Sequence, residues 1–143
     1  MAKRILTPVD TRERRETIVP VVRALARDTG ATVRLLRVFP VPSRVIGTHG
    51  QTVAYSDQEM ARLTAEGLAD LRPFEADLAG VPVEAVVRFG EPAEEIVLEA
   101  DAFDADLIAL TADQQGYLRT ALAPGVADRV ARKTSVPTLT LRG

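Results

Sequence analysis

The side chains best suited to acid–base or metal chemistry form two acidic clusters. Glu91, Glu94 and Glu95 surround Pro92 at the start of a helical pattern. The second cluster follows the same pattern and consists of three aspartates, Asp101, Asp104 and Asp106. Helix dipoles stabilise negative charge at their N-termini, proline suits the first helical position, and no calcium-loop spacing surrounds the aspartates. We therefore interpret the clusters as a helix start and a solvated turn, and predict no metal site.

Groups that support nucleophilic catalysis are scarce. The chain has no cysteine, and His49 is its only histidine. This excludes thiol chemistry and multi-histidine metal sites, and a serine triad would have to use that single imidazole. The sequence contains no G-x-S-x-G elbow, no lysine-containing phosphate loop and no G-x-G-x-x-G fingerprint. Because no nucleophile and base can be identified, the chain is predicted not to be an enzyme.

Two stretches of cationic residues offer alternatives that the sequence leaves open. Arg12, Arg14 and Arg15 follow the first predicted strand and are well placed for an anionic ligand, but a solvated helix start explains them too. The second stretch consists of Arg129, Arg132 and Lys133. It could hold an acidic partner, or it could complement the dipole at the end of a helix.

Composition narrows the classes of partner. A net charge of −2 and 4% aromatic residues provide no basic or stacking surface, so no nucleic-acid partner is predicted. The apolar stretches are too short to span a bilayer, and the first ten residues lack the apolar core of a signal peptide. We therefore predict a cytoplasmic protein without a membrane partner. At 143 residues and 46% hydrophobic content, residues 1–143 are predicted to form one domain.

Strand and helix patterns alternate along the whole chain. Apolar or β-branched runs at 3–9, 32–39, 82–89, 105–110 and 136–141 predict five strands. Helical periodicity predicts helices from about Ile18 to Gly30, from Ser56 to about Leu78, over 92–103 and over 125–133. Such alternation requires parallel strands joined by right-handed crossovers. The predicted fold class is α/β, an open doubly wound five-stranded parallel sheet with helices on both faces, which binds ligands beyond the carboxyl ends of its strands.

The second helix carries the most detailed expectations. Ser56 is a candidate N-cap with Glu59 three residues later, and Pro73 is expected to kink or interrupt the helix. Its predicted buried stripe consists of Leu63, Leu68, Leu71 and Leu78. The preceding segment, from Pro40 to Tyr55, is predicted to be a loop.

Three segments in order carry a resemblance to a known family. They are Ile5-Leu-Thr-Pro-Val-Asp10, then Gly90-Glu-Pro-Ala-Glu-Glu-Ile96 leading into Ala105-Asp-Leu-Ile108, and Val126-Ala-Asp-Arg-Val130 leading into Val136-Pro-Thr-Leu. Together they resemble the universal stress protein family over essentially the whole chain. The resemblance implies a Rossmann-like fold with five parallel strands and a homodimer formed through the last strand.

The resemblance also implies a phosphate-binding motif that this chain does not keep. In nucleotide-binding members a glycine, two residues, a second glycine, nine residues and then glycine with serine or threonine follow the fourth strand. The corresponding residues here are Thr111, Gln114, Pro124 and Gly125, and all four depart from the pattern. Glycines let the backbone approach phosphate, and proline removes an amide donor. The sequence therefore predicts a degenerate motif without tight ATP binding.

Other positions keep a nucleotide site open as the alternative. Asp10 matches an acidic residue near the nucleotide, but it is equally explained as a strand-end cap. Val38 matches a position beside adenine, but a buried strand explains it more simply. The remaining candidates are Pro8, Gly116 and Val126, which lie in the same segments.

Two functions follow from these observations. The first is a non-enzymatic stress-response regulator that dimerises, has an unidentified protein partner and needs no cofactor. The alternative is a sensor that binds ATP or AMP, with or without Mg²⁺, in the pocket after strands one, two and four.

Overall fold

The structure is a computed structural model that describes residues 3–9, 15–42, 50–112 and 125–142. Its five strands are β1 (Arg4–Pro8), β2 (Thr32–Phe39), β3 (Val83–Phe89), β4 (Leu107–Ala112) and β5 (Thr138–Arg142). Its four helices are α1 (Arg15–Thr29), α2 (Gly50–Asp77), α3 (Pro92–Phe103) and α4 (Val126–Lys133).

All strand pairs are parallel, and the strand order is β3-β2-β1-β4-β5. The chain winds from β1 to β3 in one direction and then returns past β1 to β4 and β5. This reversal places β1 at the centre, in register with β2 on one side and β4 on the other. The predicted open doubly wound sheet is therefore confirmed, and β5 lies at one edge of it.

Alternate strand residues pack into two apolar layers, one on each face of the sheet. One layer joins α1 and α2 to β1 and β2 through Ile5, Val22, Leu35 and Leu71, all buried. The other contains residues of β1, β2, α3, β4 and α4, namely Leu6, Leu36, Ala93, Ile96, Ala100, Phe103, Ile108, Leu110, Ala127 and Val130. The period-two alternation of Ile5 and Leu6 shows why one strand supplies both layers.

Helix α2 differs from its prediction at three points. It begins at Gly50, so Ser56 lies inside the helix and does not cap it, and part of the predicted loop is helical. The helix continues through Pro73 to Asp77, so the expectation that Pro73 interrupts it is wrong, whereas a kink at Pro73 stays a prediction. Its buried stripe consists of Gly67, Leu71 and Phe74, and it continues in the buried Leu78 directly after the helix.

The expectation for Leu68 is therefore wrong, because one helical residue turns the side chain by about 100° away from Gly67 and toward solvent. Leu63, also expected in the stripe, is only half-buried.

The other elements agree with the sequence to within a few residues. Helix α1 ends before Gly30, which takes a positive φ of 72° that glycine adopts without strain. Strand β4 starts and ends two residues later than predicted, because its register with β5 extends to Ala112. None of the helices in the described part of the chain combines the length and apolar character that a bilayer crossing requires.

Candidate functional site

The carboxyl ends of β1 and β4 form the switch point of the sheet. The segment after β1 leads to α1 on one face, and the segment after β4 leads to α4 on the other face. Doubly wound sheets bind ligands at the point where successive connections pass to opposite faces of the sheet. This geometry makes the ends of β1, β2 and β4 the candidate functional site.

The structure places three of the predicted site residues at this edge. Pro8 is the last residue of β1, is buried and lies opposite Leu36 of β2. Val38 is half-buried near the end of β2 and packs against the α3/α4 layer. Thr111 is half-buried near the end of β4. The fold therefore gathers strand ends that are far apart in the chain.

Several predictions fall on residues that the structure does not describe. Among the candidate site residues these are Asp10, Gln114, Gly116 and Pro124. His49, Arg12 and Arg14 also lie outside the described residues. Their roles stay predictions.

Thr111 is a strand residue, whereas the sequence places it after the strand. It lies opposite Leu141 in the β4–β5 ladder. Among the described residues other than glycine, only Asp104 adopts a positive φ. Thr111 thus does not take the left-handed conformation that would favour glycine at the first position of the family motif.

The start of α4 keeps only part of an anion site. Gly125 is the N-cap, with an extended backbone at φ −67° and ψ 168°, and no side chain caps the helix there. Val126 is the first helical residue and is exposed. Gly125 itself therefore supplies no side-chain acceptor to the amides of the first turn, while Asp128 adds a negative charge beside them.

The acidic residues that precede α3 have structural partners. Glu91 is the N-cap of α3 and accepts a hydrogen bond from the Glu94 amide at 2.9 Å, with Pro92 in the first turn. The other oxygen of Glu91 accepts from Arg129 of α4. Glu95 accepts from Arg88 of β3 at 2.8 Å. The helix-start interpretation of the glutamates is confirmed, and Arg129 ties α4 to α3.

The second acidic cluster also has structural contacts. Asp104 ends α3 in the left-handed conformation, with φ 58° and ψ 50°. Asp106 accepts hydrogen bonds from the amides of Lys3 and Arg4 at 2.8 and 3.0 Å. These two backbone hydrogen bonds hold the pKa of Asp106 below its usual value. The turn is therefore solvated, as predicted, but it also fixes the start of β1.

Sequence reasoning missed a charged network on the α3 face of the sheet. Glu99 of α3 is buried and accepts from Arg34 of β2 at 2.6 Å and from Arg88 at 2.8 Å. Hydrogen bonds from Arg88 to Glu95 and to Glu99 raise the pKa of Arg88, and the bond to Glu95 has the larger effect. The sequence signal is the presence of arginines in two predicted strands, because a glutamate in a helix is ordinarily exposed.

A shallow cavity of about 370 Å³ lies at the opposite end of the sheet, near the amino-terminal ends of the strands. Its charged lining consists of Arg4, Arg34, Glu84 and Asp104, and Phe103 forms its apolar wall. Arg34 lies 4.1 Å from the centre of the Phe103 ring and is paired with Glu84 at 2.7 Å. Because the charges balance and the cations already have partners, this cavity is not the better candidate.

The fold and the site define an open doubly wound α/β domain with a candidate functional site at its switch point. The sequence model of the universal stress protein family matches residues 1–142, and the chain belongs to that family. A search of the curated proteins returned no match.

Solved structures share the fold over the whole chain. The hypothetical protein MJ0577 is 25% identical with a TM-score of 0.75, covering 100% of this chain and 97% of that one. A universal stress protein in complex with cAMP is 18% identical with a TM-score of 0.70, covering 99% and 97%. The Archaeoglobus fulgidus universal stress protein in complex with dAMP is 20% identical with a TM-score of 0.62, covering 96% of each chain.

Proposed function

We propose that this universal stress protein domain is a non-enzymatic, dimeric regulator that does not bind ATP tightly. The observation that carries the proposal is the start of α4, where Gly125 caps the helix without any side-chain hydrogen bond. In nucleotide-binding relatives a serine or threonine hydroxyl is expected at this position. Here the helix offers amides alone to a phosphate.

The free energies lost with these motif residues are large enough to determine the affinity for ATP. A hydrogen bond from a hydroxyl to a charged phosphate contributes about 1.5–3 kcal/mol. A non-glycine residue forced into the left-handed conformation costs about 1–2 kcal/mol, and Gln114 replaces a glycine of the family motif. Since about 1.4 kcal/mol is tenfold in affinity, these two losses together weaken triphosphate binding by about a hundredfold or more.

The proposed dimer uses β5, which is hydrogen-bonded to β4 alone within the described part of the chain. The Ile108 amide donates to the Pro137 carbonyl at 2.9 Å, so the next residues facing β4 are Leu139 and Leu141. The exposed Thr140 therefore presents its amide and carbonyl to the free edge. A second β5 strand could satisfy both groups.

The test compares the natural chain with a variant in which the motif is restored. The variant carries Thr111→Gly, Gln114→Gly, Pro124→Gly and Gly125→Ser. A serine Cβ at Gly125 meets no atom within 4 Å, and the backbone there suits any residue, so the last change is accommodated. Isothermal titration with ATP, ADP and AMP, with and without Mg²⁺, should show much tighter binding by the restored variant than by the natural chain.

A matched control carries the three glycine substitutions but keeps Gly125. It separates loop freedom from the hydroxyl, and its affinity should lie between those of the natural chain and the full variant. Micromolar binding of ATP by the natural chain would contradict the proposal.

That outcome would support the second candidate, an adenine-nucleotide sensor. Two fold relatives are described in complex with cAMP and with dAMP, and the uncapped amides of α4 favour an anion in this chain as well. A monophosphate needs fewer donors than a triphosphate. Binding of AMP without binding of ATP by the natural chain would therefore favour the sensor over the nucleotide-free regulator.

A further inference from the structure

Strand β3 is an edge strand whose outer side is free within the described residues, because β2 is its only neighbouring strand there. Two hydrogen bonds mark the ends of the β2–β3 ladder. The Val33 amide donates to the Pro82 carbonyl at 2.9 Å, and the Gly90 amide donates to the Phe39 carbonyl at 2.9 Å. In a parallel ladder, the backbone amides and carbonyls of alternate residues point toward the same neighbouring strand. The amides and carbonyls of the even-numbered residues of β3 therefore face β2. The odd-numbered residues therefore direct their amides and carbonyls outward.

The sequence of β3, Val-Glu-Ala-Val-Val-Arg-Phe, is self-complementary about its central residue, Val86. A second copy placed antiparallel about a two-fold axis at Val86 gives three further kinds of pair. They are Val83 opposite Phe89, Ala85 opposite Val87, and Glu84 opposite Arg88. Apolar residues thus meet apolar residues, and each acid meets a base.

The hydrogen-bonding direction agrees with the same register. The odd-numbered pairs are those whose amides and carbonyls point outward, so they become the hydrogen-bonded pairs of an antiparallel ladder. Glu84 and Arg88 then form a non-hydrogen-bonded pair, in which the Cα atoms are only about 4.5 Å apart and the side chains are closest. The charges therefore meet where the ladder brings side chains together.

The features that usually protect an edge strand are weak here. Charged side chains, prolines and bulges usually prevent edge strands from pairing with the strands of other molecules. The only charged residues of β3 are held on the α3 face, where Glu84 pairs with Arg34 at 2.7 Å and Arg88 pairs with Glu99 at 2.8 Å. They lie above the sheet and leave the backbone edge open, so a second strand can approach it.

We propose that β3 is a second self-association surface, which pairs antiparallel with β3 of another copy of this chain. The sheet then continues through the interface, and the Arg34–Glu84 and Arg88–Glu99 pairs join into one charged row across it. This surface is independent of the β5 dimer. Because both interfaces are two-fold and lie at opposite edges, together they generate an open chain of subunits.

Two proline variants separate the interfaces. Ala85→Pro removes an outward amide from β3, and Thr140→Pro removes an outward amide from β5. Proline is tolerated in an edge strand where its missing amide faces solvent, so each variant keeps its own internal ladder. Circular dichroism confirms the fold, and sedimentation velocity over a concentration series measures the assembly.

If both surfaces pair, the natural chain grows beyond a dimer as concentration rises, each single variant stops at a dimer, and the double variant is a monomer. If only β3 pairs, Thr140→Pro leaves the dimer intact and Ala85→Pro gives a monomer, which removes the β5 proposal alone. A monomeric Thr140→Pro variant at concentrations where the natural chain assembles would overturn the β3 proposal.

Hydrogen exchange on the natural chain tests the same surface without any substitution. The outward amides of Val83, Ala85, Val87 and Phe89 should exchange rapidly in dilute solution. At assembling concentrations they should slow by about tenfold or more, because each then donates to a partner strand. The inward amides of Glu84 and Val86 are the internal control, since β2 protects them at every concentration. Outward amides that stay fast in the assembled protein would exclude pairing through β3.

Discussion

Gly67 of α2 lies directly against Phe39 of β2. A Cβ atom at Gly67 would be 2.8 Å from Cε2 of Phe39 and 2.9 Å from Cγ2 of Val87. Real Cβ atoms do not approach other atoms so closely, so α2 rests on the β2–β3 pair only because this residue has no side chain. The glycine therefore sets the distance between the helix and the sheet.

Gly67→Ala is expected to destabilise the protein. Alanine favours a helix by about 1 kcal/mol over glycine, but overpacking a buried contact costs about 1–3 kcal/mol, so a net loss of about 1 kcal/mol is expected. Urea unfolding measures the change. The control is Ala69→Gly on the exposed side of the same helix, which isolates the helix-propensity contribution. A more stable Gly67→Ala variant would contradict the close packing.

Within the charged network, Glu99 is expected to contribute more to the free energy of unfolding than Glu84. The Glu99 side chain is 5% exposed and serves two arginines, whereas that of Glu84 is 48% exposed and pairs only with Arg34. Breaking a buried pair costs about 3–5 kcal/mol, but an exposed pair contributes at most about 1 kcal/mol. Glu99→Gln should therefore lower the free energy of unfolding by about 3 kcal/mol, measured in urea.

Glu84→Gln is the matched control for this prediction. It makes the same chemical change in the same network at a solvated position, and it should cost less than about 1 kcal/mol. Equal losses for the two variants would show that burial does not determine the contribution of the network.

The hydrogen bonds of Asp106 are expected to make the stability of the protein fall as the pH is lowered. Hydrogen bonds from the Lys3 and Arg4 amides lower its folded-state pKa, so the folded state favours the carboxylate. Its contribution is fully present above the unfolded pKa of about 3.9 and is lost as the pH falls through the lower folded value.

The stability difference between the natural chain and Asp106→Asn should therefore be constant near neutral pH and shrink below about pH 4. Urea unfolding at a series of pH values measures it. Asp101→Asn is the control for the loss of an exposed carboxylate from the same acidic cluster. A difference that grew on acidification would contradict the predicted sign.

The sequence predicted the sheet because periodicity is a local property. Strand β2 and helix α3 were bounded correctly, since Thr32–Phe39 is rich in β-branched residues and Pro92 begins a helix. The extension of β4 through Thr111 could not be predicted in this way. It depends on pairing with Leu141, which is distant in the chain.

The same limit applies to the site. The last helix was predicted to begin at about Gly125, and in the structure it begins at Val126 with Gly125 as its N-cap. Glu99 could not be recognised as buried, because its environment is created by Arg34 and Arg88, which lie on two strands that become neighbours only in the folded sheet. Local patterns thus identify elements and caps, while buried charge requires the tertiary arrangement.

Thr7 of β1 places a buried hydroxyl group in the centre of the sheet. Its side chain is buried at 1% exposure, and its hydroxyl has no hydrogen-bond partner among the described residues. A buried hydroxyl without a partner costs about 1–3 kcal/mol, so Thr7→Val should raise the free energy of unfolding by about 1 kcal/mol in urea. Thr7→Ser keeps the hydroxyl but removes a methyl group, and should lower stability by about 1 kcal/mol. A loss of stability in Thr7→Val would show that the hydroxyl is paired in solution.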